Sequence, residues 1–422
     1  MAGGKGTRLA SLNEELPKPM FELCGKPVLQ WQIETLRKEN IKEISLVIGY
    51  KGEYIREYFG DGTKFGVNID YFEEKSPLGT AGALFQMKMD EDFLLCGADL
   101  VFDISIKKML RFHQAKQAVA TLFVHPSSHP QDSTLLITDF QDRVIRMITP
   151  SDGNKDNAFL SNAGIQIVSP DLFKSGLCEY ADLDKDVIAP AVAGGKVFAY
   201  RSPEYVKDMG TPERLAQTES DIKNGLVFGN ACVQKKAVFL DRDGTVNKYK
   251  GYITNPDDIE LLPGAAHAIK LMRESGYMVF LVTNQAVIAR GDCDFETLHR
   301  IHCRLEYLLC KDGAFIDKIY FCPHHPEKGF EGERSEYKIK CNCRKPAPGM
   351  ILKAADEFNI NLSASYMAGD SYRDVEAAVN AGCVPIYLKC GKNEQTAEEM
   401  SAAVYDDLYD FSKMMFKDRK ER

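Results

Sequence analysis

Short apolar runs that end in a polar turn recur along this chain, and between them apolar residues return at every third or fourth position. Ile44-Ser45-Leu46-Val47-Ile48 and Ala118-Val119-Ala120-Thr121-Leu122-Phe123-Val124 are of the first kind, and Val28 to Glu39 is of the second. A bounded apolar run reads as a buried strand and a 3.6-residue recurrence as a helix with one apolar face, so the alternation predicts α/β structure throughout. After a helix that starts at Pro212 comes a short connector, Gly225 to Lys235. The pattern then resumes with the strand-like runs Ala237-Val238-Phe239-Leu240, Met278-Val279-Phe280-Leu281-Val282 and Tyr366-Met367-Ala368. Helices are expected near Ala265 to Ser275, Phe295 to Lys311 and Pro348 to Phe358, and Ala397 to Lys417 also has helical spacing. Neither half repeats the other. The expected organisation is two domains, residues 1–226 and 236–422, each large enough to bury its own core.

The strand ends of the second half carry chemistry. Leu240 empties into Asp241-Arg242-Asp243-Gly244-Thr245, two carboxylates spaced i, i+2 on one side of an extended chain. One can attack phosphorus while the other reaches the leaving oxygen, the layout of a phosphatase that forms an aspartyl-phosphate. The next strands end in Thr283-Asn284-Gln285 and in Gly369-Asp370-Ser371-Tyr372-Arg373-Asp374. In an open parallel sheet the site lies outside the carboxyl ends of the strands, so these ends can converge on one phosphate. Acidic turn residues are the bland alternative, and three matched ends argue against it.

Between the second and third of these strands lies Cys322-Pro323-His324-His325-Pro326, followed about fifteen residues on by Cys341-Asn342-Cys343-Arg344-Lys345-Pro346. Paired soft ligands across a loop suit tetrahedral zinc, and Cys322, His324, Cys341 and Cys343 make a Cys₃His set that leaves no coordination position open. His325 is the alternative to His324. Such an ion would be structural. It would pin a polar loop with too few apolar residues to order itself, and that loop carries Arg344 and Lys345.

Taken in order, DRDGT, the threonine of VTNQ, Lys345 and GDSYRD resemble the four motifs of haloacid-dehalogenase-type (HAD) phosphatases. The resemblance implies that Asp241 attacks in line, and that Asp243 protonates the departing alkoxide and later deprotonates water. It also implies Mg²⁺ on the carboxylates of Asp241 and Asp370 and the backbone carbonyl of Asp243, with Thr283 and Lys345 on the phosphoryl oxygens. Asp374 either ligates through water or orients Lys345. Arg242, Asn284, Gln285 and Arg344 are expected to contact substrate. Within this superfamily the CPHH and CxCRKP segments resemble zinc-containing heptose-bisphosphate phosphatases and, less closely, histidinol-phosphate phosphatases. Gly251-Tyr252-Ile253 and Ile288-Ala289-Arg290-Gly291 also look like the heptose group, whereas Ala286-Val287 stands where that group usually has Ser-Gly.

The first half carries a different phosphate signature. In Gly3-Gly4-Lys5-Gly6-Thr7-Arg8-Leu9 a glycine-rich turn lets backbone N–H groups approach phosphates, and Arg8 and Lys18, the latter in Pro17-Lys18-Pro19-Met20, add charge. These segments resemble the GGxGTRL and PKPM pair of sugar-nucleotide nucleotidyltransferases, a GT-A-like fold, over about 225 residues. The resemblance implies that Gly3, Gly4, Gly6 and Thr7 cradle the triphosphate, that Gly79 of Ser76 to Gly82 lies in the base-contacting loop, and that Asn162 contacts the sugar. It also implies Mg²⁺ on Asp99 and Asp208 and in-line attack of a sugar 1-phosphate on the α-phosphorus, without a covalent intermediate. The spacing RLASLNEELPKPM and the LDKDVIAP segment look most like heptose 1-phosphate guanylyltransferases, with the mannose 1-phosphate enzymes next. Relatives place a buried apolar strand ahead of the glycine loop, and here that strand is missing. They also carry an acidic-Lys pair where this chain has Met147 to Asp152, and Lys155 is expected to be a solvated loop residue.

A net charge of −8 argues against a general nucleic-acid surface, so phosphate binding must come from local clusters, and the basic tail Lys417 to Arg422 reads as a solvated helix end. No apolar run approaches a membrane span, no signal peptide precedes the glycine loop, and twelve cysteines suit a reducing cytosol. The expectation is a cytoplasmic bifunctional enzyme of two Rossmann-like three-layer domains, with Mg²⁺, structural Zn²⁺, a sugar phosphate and a nucleoside triphosphate, GTP by resemblance. It would remove the 7-phosphate of a heptose 1,7-bisphosphate and guanylylate the heptose 1-phosphate, with GDP and the α-anomer favoured. The alternatives are a histidinol-phosphate or other small-ester phosphatase fused to a mannose-type guanylyltransferase, and an active phosphatase carrying a non-catalytic first domain.

Overall fold

The computed structural model describes residues 1–3, 16–127, 133–149, 152, 158–174, 180–227, 234–329, 331–389 and 402–416. Gly4, Gly6, Thr7, Arg8, Lys155 and the tail Lys417 to Arg422 lie outside these. The chain divides into two compact units, Met1–His125 with His129–Asn154 and Leu160–Cys232, and Pro126–Ser128 with Lys155–Phe159 and Val233–Arg422.

The first unit begins with a ribbon of β1 (Glu22–Leu23) and β2 (Lys26–Pro27), then α1 (Val28–Lys38), β3 (Glu43–Ile48), α2 (Gly52–Phe59) and β4 (Asn68–Glu73). There follow β5 (Phe93–Cys96), β6 (Leu100–Asp103), α3 (Ile106–Lys116), β7 (Ala120–Pro126), β8 (Leu135–Thr138), β9 (Val144–Ile148) and β10 (Leu160–Val168). A π-helical turn, Leu183–Ile188, runs into α4 (Ala189–Val192), and β11 (Val197–Arg201), β12 (Tyr205–Asp208) and α5 (Pro212–Lys223) complete the unit. The larger sheet has the order β11-β7-β10-β8-β9, with β5 also on β10, while β12 pairs β6 and β3 pairs β4. Helix α1 forms because Val28, Leu29, Ile33 and Leu36 return on one face, which is buried.

Strands β3 and β5 face a cavity of about 560 Å³ lined by Leu29, Ile33, Leu46 and Leu95 among others. Met1 lines it too, and the first two residues bridge the flanking backbone. There Ala2 N–H donates to Val47 O (2.8 Å), Ala98 N–H to Met1 O (2.9 Å) and the Met1 ammonium to Cys96 O (3.0 Å). Ala2 pairs with Ile48 in a parallel bridge, and burial pushes the Met1 amino group down from its ordinary value.

The second unit is a single parallel sheet of β13 (Lys236–Leu240), β14 (Tyr277–Asn284), β15 (Lys318–Cys322), β16 (Tyr366–Gly369), β17 (Val384–Leu388) and β18 (Ala403–Tyr405). Their spatial order is β15-β14-β13-β16-β17-β18. The chain winds outward from β13 in one direction and then the other, so the switch point lies at β13 and β16. Alternate residues of the central strands enter opposite cores: Val238, Leu240, Val279 and Leu281 pack with Ile269, Leu305 and Phe411, while Phe239, Phe280 and Val282 pack with Ile351, Ala354 and Ala378. These partners lie on α6 (Ala265–Glu274), α8 (Phe295–Lys311) and α11 (Leu408–Met415) for one face, and on α9 (Gly349–Phe358) and α10 (Tyr372–Ala381) for the other; α7 is the short turn Val287–Arg290. This is the expected three-layer α/β arrangement.

The carboxyl-terminal region differs from its helical reading. Ala403–Tyr405 extends the sheet beside Ile386–Leu388, and the helix starts only after Asp407, whose side chain accepts from Asp410 N–H (2.7 Å). A free sheet edge and an N-cap override the local spacing.

Candidate active sites

At the carboxyl end of β13, Asp241 N–H donates to Ala368 O (3.0 Å), locking the first acidic residue to the end of β16. Gly244 takes φ +82°, and a Cβ there would overlap the Asp370 carboxylate. The glycine of DRDGT thus lets the two acidic strand ends close on each other. One carboxylate oxygen from each of Asp241, Asp370 and Asp374 lies within 4.8 Å of the others. Burial first, and then the Asp374 and Asp243 charges, push Asp241 up to about 6 against the pull of Lys345. Burial and then Asp241 and Asp374 push Asp370 up to about 7. The cluster holds more negative charge than it can ionise comfortably, which suits a divalent cation.

Lys345 answers part of that charge. Its ammonium is 3% exposed and sits 2.8 Å from Asp241 and 2.6 Å from Asp374, itself fully buried. The other Asp374 oxygen accepts from Ser371 N–H (3.1 Å) and Oγ (2.7 Å) at the start of α10, so Asp374 meets Lys345 from a fixed helix end. Burial alone would lower Lys345, and the two carboxylates outweigh it and raise it.

Lys345 lies on a loop with two anchors. Asn284, at the end of β14, donates to Lys345 O (3.0 Å) and accepts from Lys345 N–H (3.0 Å). Asn284 therefore clasps the peptide of Lys345. The second anchor is the donor cluster. His324 Nδ1 lies 3.3 Å from Cys343 and 3.7 Å from Cys322, and the sulfurs are 3.2 to 3.6 Å apart. A tetrahedron with 2.3 Å metal–sulfur bonds has edges of about 3.8 Å, so four soft donors converge at nearly the separation zinc requires. His324 is the histidine in the cluster, and its neighbour His325 is not. Gln285 N–H donates to Cys322 O (2.8 Å), and Arg344 donates to His324 O (3.0 Å), tying the cluster to the site.

Thr283 is buried and accepts from Gln285 Nε2 (2.8 Å), which also reaches Asp243 (3.0 Å). Arg242 is buried with its guanidinium on Asp243. Of the phosphatase residues assigned to substrate, Arg242, Asn284, Gln285 and Arg344 are all engaged by the protein itself.

In the first unit Lys18 forms an ion pair with Asp99. Gln32 Nε2 donates to Gly97 O (2.8 Å) and Leu100 O (2.6 Å), fixing the turn that carries Asp99. Asp208 lies on β12 opposite Leu100, Met209 N–H donates to Asp99 O (2.8 Å), and Arg214 holds both Asp208 oxygens at 2.6 Å. Gly79 has φ +80°, and a Cβ there would strike the backbone of Ala181. Asn162 donates to Gln166 (3.0 Å) and Asp184 (3.2 Å), and burial raises Asp184. A Cβ on Gly3 would overlap the Glu74 carboxylate, which burial raises. The structure thus joins Lys18, Asp99 and Asp208 through adjacent elements.

Residues 1–225 match the nucleotidyl transferase family model, and residues 342–411 match the HAD-hydrolase-like model. The D-glycero-beta-D-manno-heptose-1,7-bisphosphate 7-phosphatase of Yersinia pestis is 41% identical over 180 residues, covering 42% of this chain and 93% of that protein. The chain belongs to the nucleotidyl transferase and HAD-type phosphatase families. A D,D-heptose 1.7-bisphosphate phosphatase structure from B. bronchiseptica, complexed with magnesium and phosphate, shares 34% identity over 43% of this chain and 97% of that one (TM-score 0.38). HddC from Yersinia pseudotuberculosis shares 23% identity over 52% of this chain and 96% of that one (TM-score 0.45).

This fused hydrolase and transferase has no helix, among the described residues, long and apolar enough to cross a membrane. Arg214, Asp184 and Asn247, which donates to Asp243 (3.0 Å), escaped the sequence reading because their partners are set by tertiary packing, and no local spacing signals them. The Asn284 clasp leads to a prediction. Asn284→Ala should leave the bound-metal content unchanged while lowering phosphate release by about 10–100-fold, the scale of an ångström of misplacement. Steady-state assay with elemental analysis checks it.

Proposed function

We propose that the second unit removes the 7-phosphate of a D-glycero-D-manno-heptose 1,7-bisphosphate and that the first transfers guanylyl from GTP to the heptose 1-phosphate so made. The observation that carries the reading is the Asp241–Lys345–Asp374 chain beside a Cys₃His cluster, in a chain that is 41% identical to a 7-phosphatase over that half. The product of one half has the anomeric phosphate that the other half's reaction class consumes. The phosphatase relatives carry the β-anomer in their names, whereas the likeness of the first half to heptose 1-phosphate guanylyltransferases favours α, and α is our choice.

In this reading Asp241 attacks the 7-phosphorus in line, Asp243 gives a proton to the departing sugar oxygen, and Thr283 and Lys345 bind the phosphoryl oxygens. Water then cleaves the aspartyl-phosphate with Asp243 as base. Mg²⁺ on Asp241, Asp370 and the Asp243 carbonyl would shield the carboxylates from the phosphate dianion, and the raised Asp241 and Asp370 support that assignment. Zinc on Cys322, His324, Cys341 and Cys343 would be structural. In the first unit Lys18, with Arg8, would stabilise charge at the α-phosphorus, and Asp99 and Asp208 would hold Mg²⁺ once Lys18 and Arg214 give way.

Phosphorus NMR of the purified chain with Mg²⁺, the bisphosphate and GTP tests the reading. Loss of the 7-phosphate signal followed by GDP-sugar and pyrophosphate signals is expected, and the anomeric phosphate consumed identifies the anomer. Asp241→Asn should cut phosphate release at least about 10³-fold while transfer to supplied heptose 1-phosphate continues; equal loss of both would argue against two independent sites. For the metal cluster, one zinc per chain is expected. Its removal by chelation, or Cys343→Ser, should open the 323–344 loop to protease, and unchanged resistance would count against a zinc anchor.

A further inference from the structure

Asp243 is held by more donors than a mobile proton carrier requires. Arg242 Nε donates to it at 3.0 Å and Arg242 Nη2 to both oxygens at 3.0 and 2.8 Å. Asn247 Nδ2 adds a bond at 3.0 Å and Gln285 Nε2 another at 3.0 Å. Arg242 is 1% exposed, among the largest fully buried side chains of the molecule, and its Nη1 has no hydrogen-bond partner among the described residues. Burial first, and then the Arg242 charge, lower the buried His302 of α8. A guanidinium withdrawn from water, with Nε and Nη2 both on one carboxylate, has one forked partner among the described residues, Asp243.

We infer that Arg242 is a positioning residue that sets the rotamer of Asp243, so that the proton Asp243 transfers is delivered along the line of the leaving oxygen. This rests on the phosphatase reading of the site. In the step concerned, the Asp241 oxygen–phosphorus bond forms, the phosphorus–sugar oxygen bond breaks with its electron pair on oxygen, and the Asp243 proton passes to that oxygen. In the next step the attacking water returns a proton to Asp243. Arg242 touches neither phosphate nor sugar in this account. Its side chain acts only through the carboxylate it grips.

Leaving-group dependence separates this role from mere support of the fold. A sugar alkoxide needs its proton as the bond breaks, whereas p-nitrophenolate leaves without one. Single-turnover release from the heptose bisphosphate and from p-nitrophenyl phosphate would be compared in wild type, Arg242→Met and Arg242→Lys, each checked by circular dichroism. The expected result is a fall of at least about 30-fold with the sugar substrate in Arg242→Met, a change of less than about 3-fold with the aryl ester, KM little altered, and partial recovery in Arg242→Lys. Equal losses on both substrates in the soluble Arg242→Lys protein would overturn the inference. If Arg242→Met does not fold, Arg242→Lys and Asn247→Ala supply the same ratio, and an unaltered ratio in both also overturns it. Failure of wild type to hydrolyse the bisphosphate would sink the phosphatase reading instead, a separate outcome.

Discussion

The phosphatase half is organised around one buried ammonium. Lys345 is nearly excluded from water between Asp241 and Asp374, and moving such charges out of water costs several kcal/mol per ion unless each is paired in good geometry. The pairing must therefore be held by something stiffer than the loop on which Lys345 sits. Asn284 grips its peptide from the end of β14, the Cys₃His cluster holds the residues just before it, and the Ser371 cap fixes Asp374. Strip away any of these and the ammonium can drift from Asp241. A short covalent path, Cys343-Arg344-Lys345, thus joins the Cys₃His cluster to the ammonium, and no long relay is needed.

The sheet explains why these parts meet. With β13 at the switch point, β14 and β16 flank it, so the residues after each strand open into the same crevice. Gly244 completes the closure by leaving room for Asp370. The strands were legible in the sequence because both faces are covered, which makes them unbroken apolar runs such as Ala237 to Leu240. For the same reason the sequence could not say which of Val238 and Phe239 faces which core.

Legibility fell wherever a residue's role depends on a partner far away in the chain. Asp241, Lys345 and the four soft ligands announce themselves by local spacing. Asn284, Gln285 and Arg242 lie inside those motifs, yet their side chains turn inward to the protein, and no spacing rule tells a residue that touches substrate from one that supports its neighbour. Val404 and Tyr405 read as part of a helix because their helical spacing is local, while the sheet edge that recruits them is at Ile386 to Leu388. In the first unit the glycine loop lies outside the described residues from Gly4 on, and no spacing rule announces that Met1 and Ala2 bond to Val47, Cys96 and Ala98.

The two halves handle phosphate in physically opposite ways. In the phosphatase the charges are sunk and prepaired, so an incoming phosphate meets a fixed field. In the transferase Asp99 and Asp208 hold Lys18 and Arg214 at partly exposed ion pairs. Pairs open to solvent are held less firmly than the sunken Lys345 pair, so their partners exchange more readily. That suits a reaction without a covalent intermediate, in which two substrates must both be in place before bond-breaking and water must not compete. A site assembled by its ligands acts only when both have arrived, whereas a site already assembled, like that around Lys345, can act on one substrate alone.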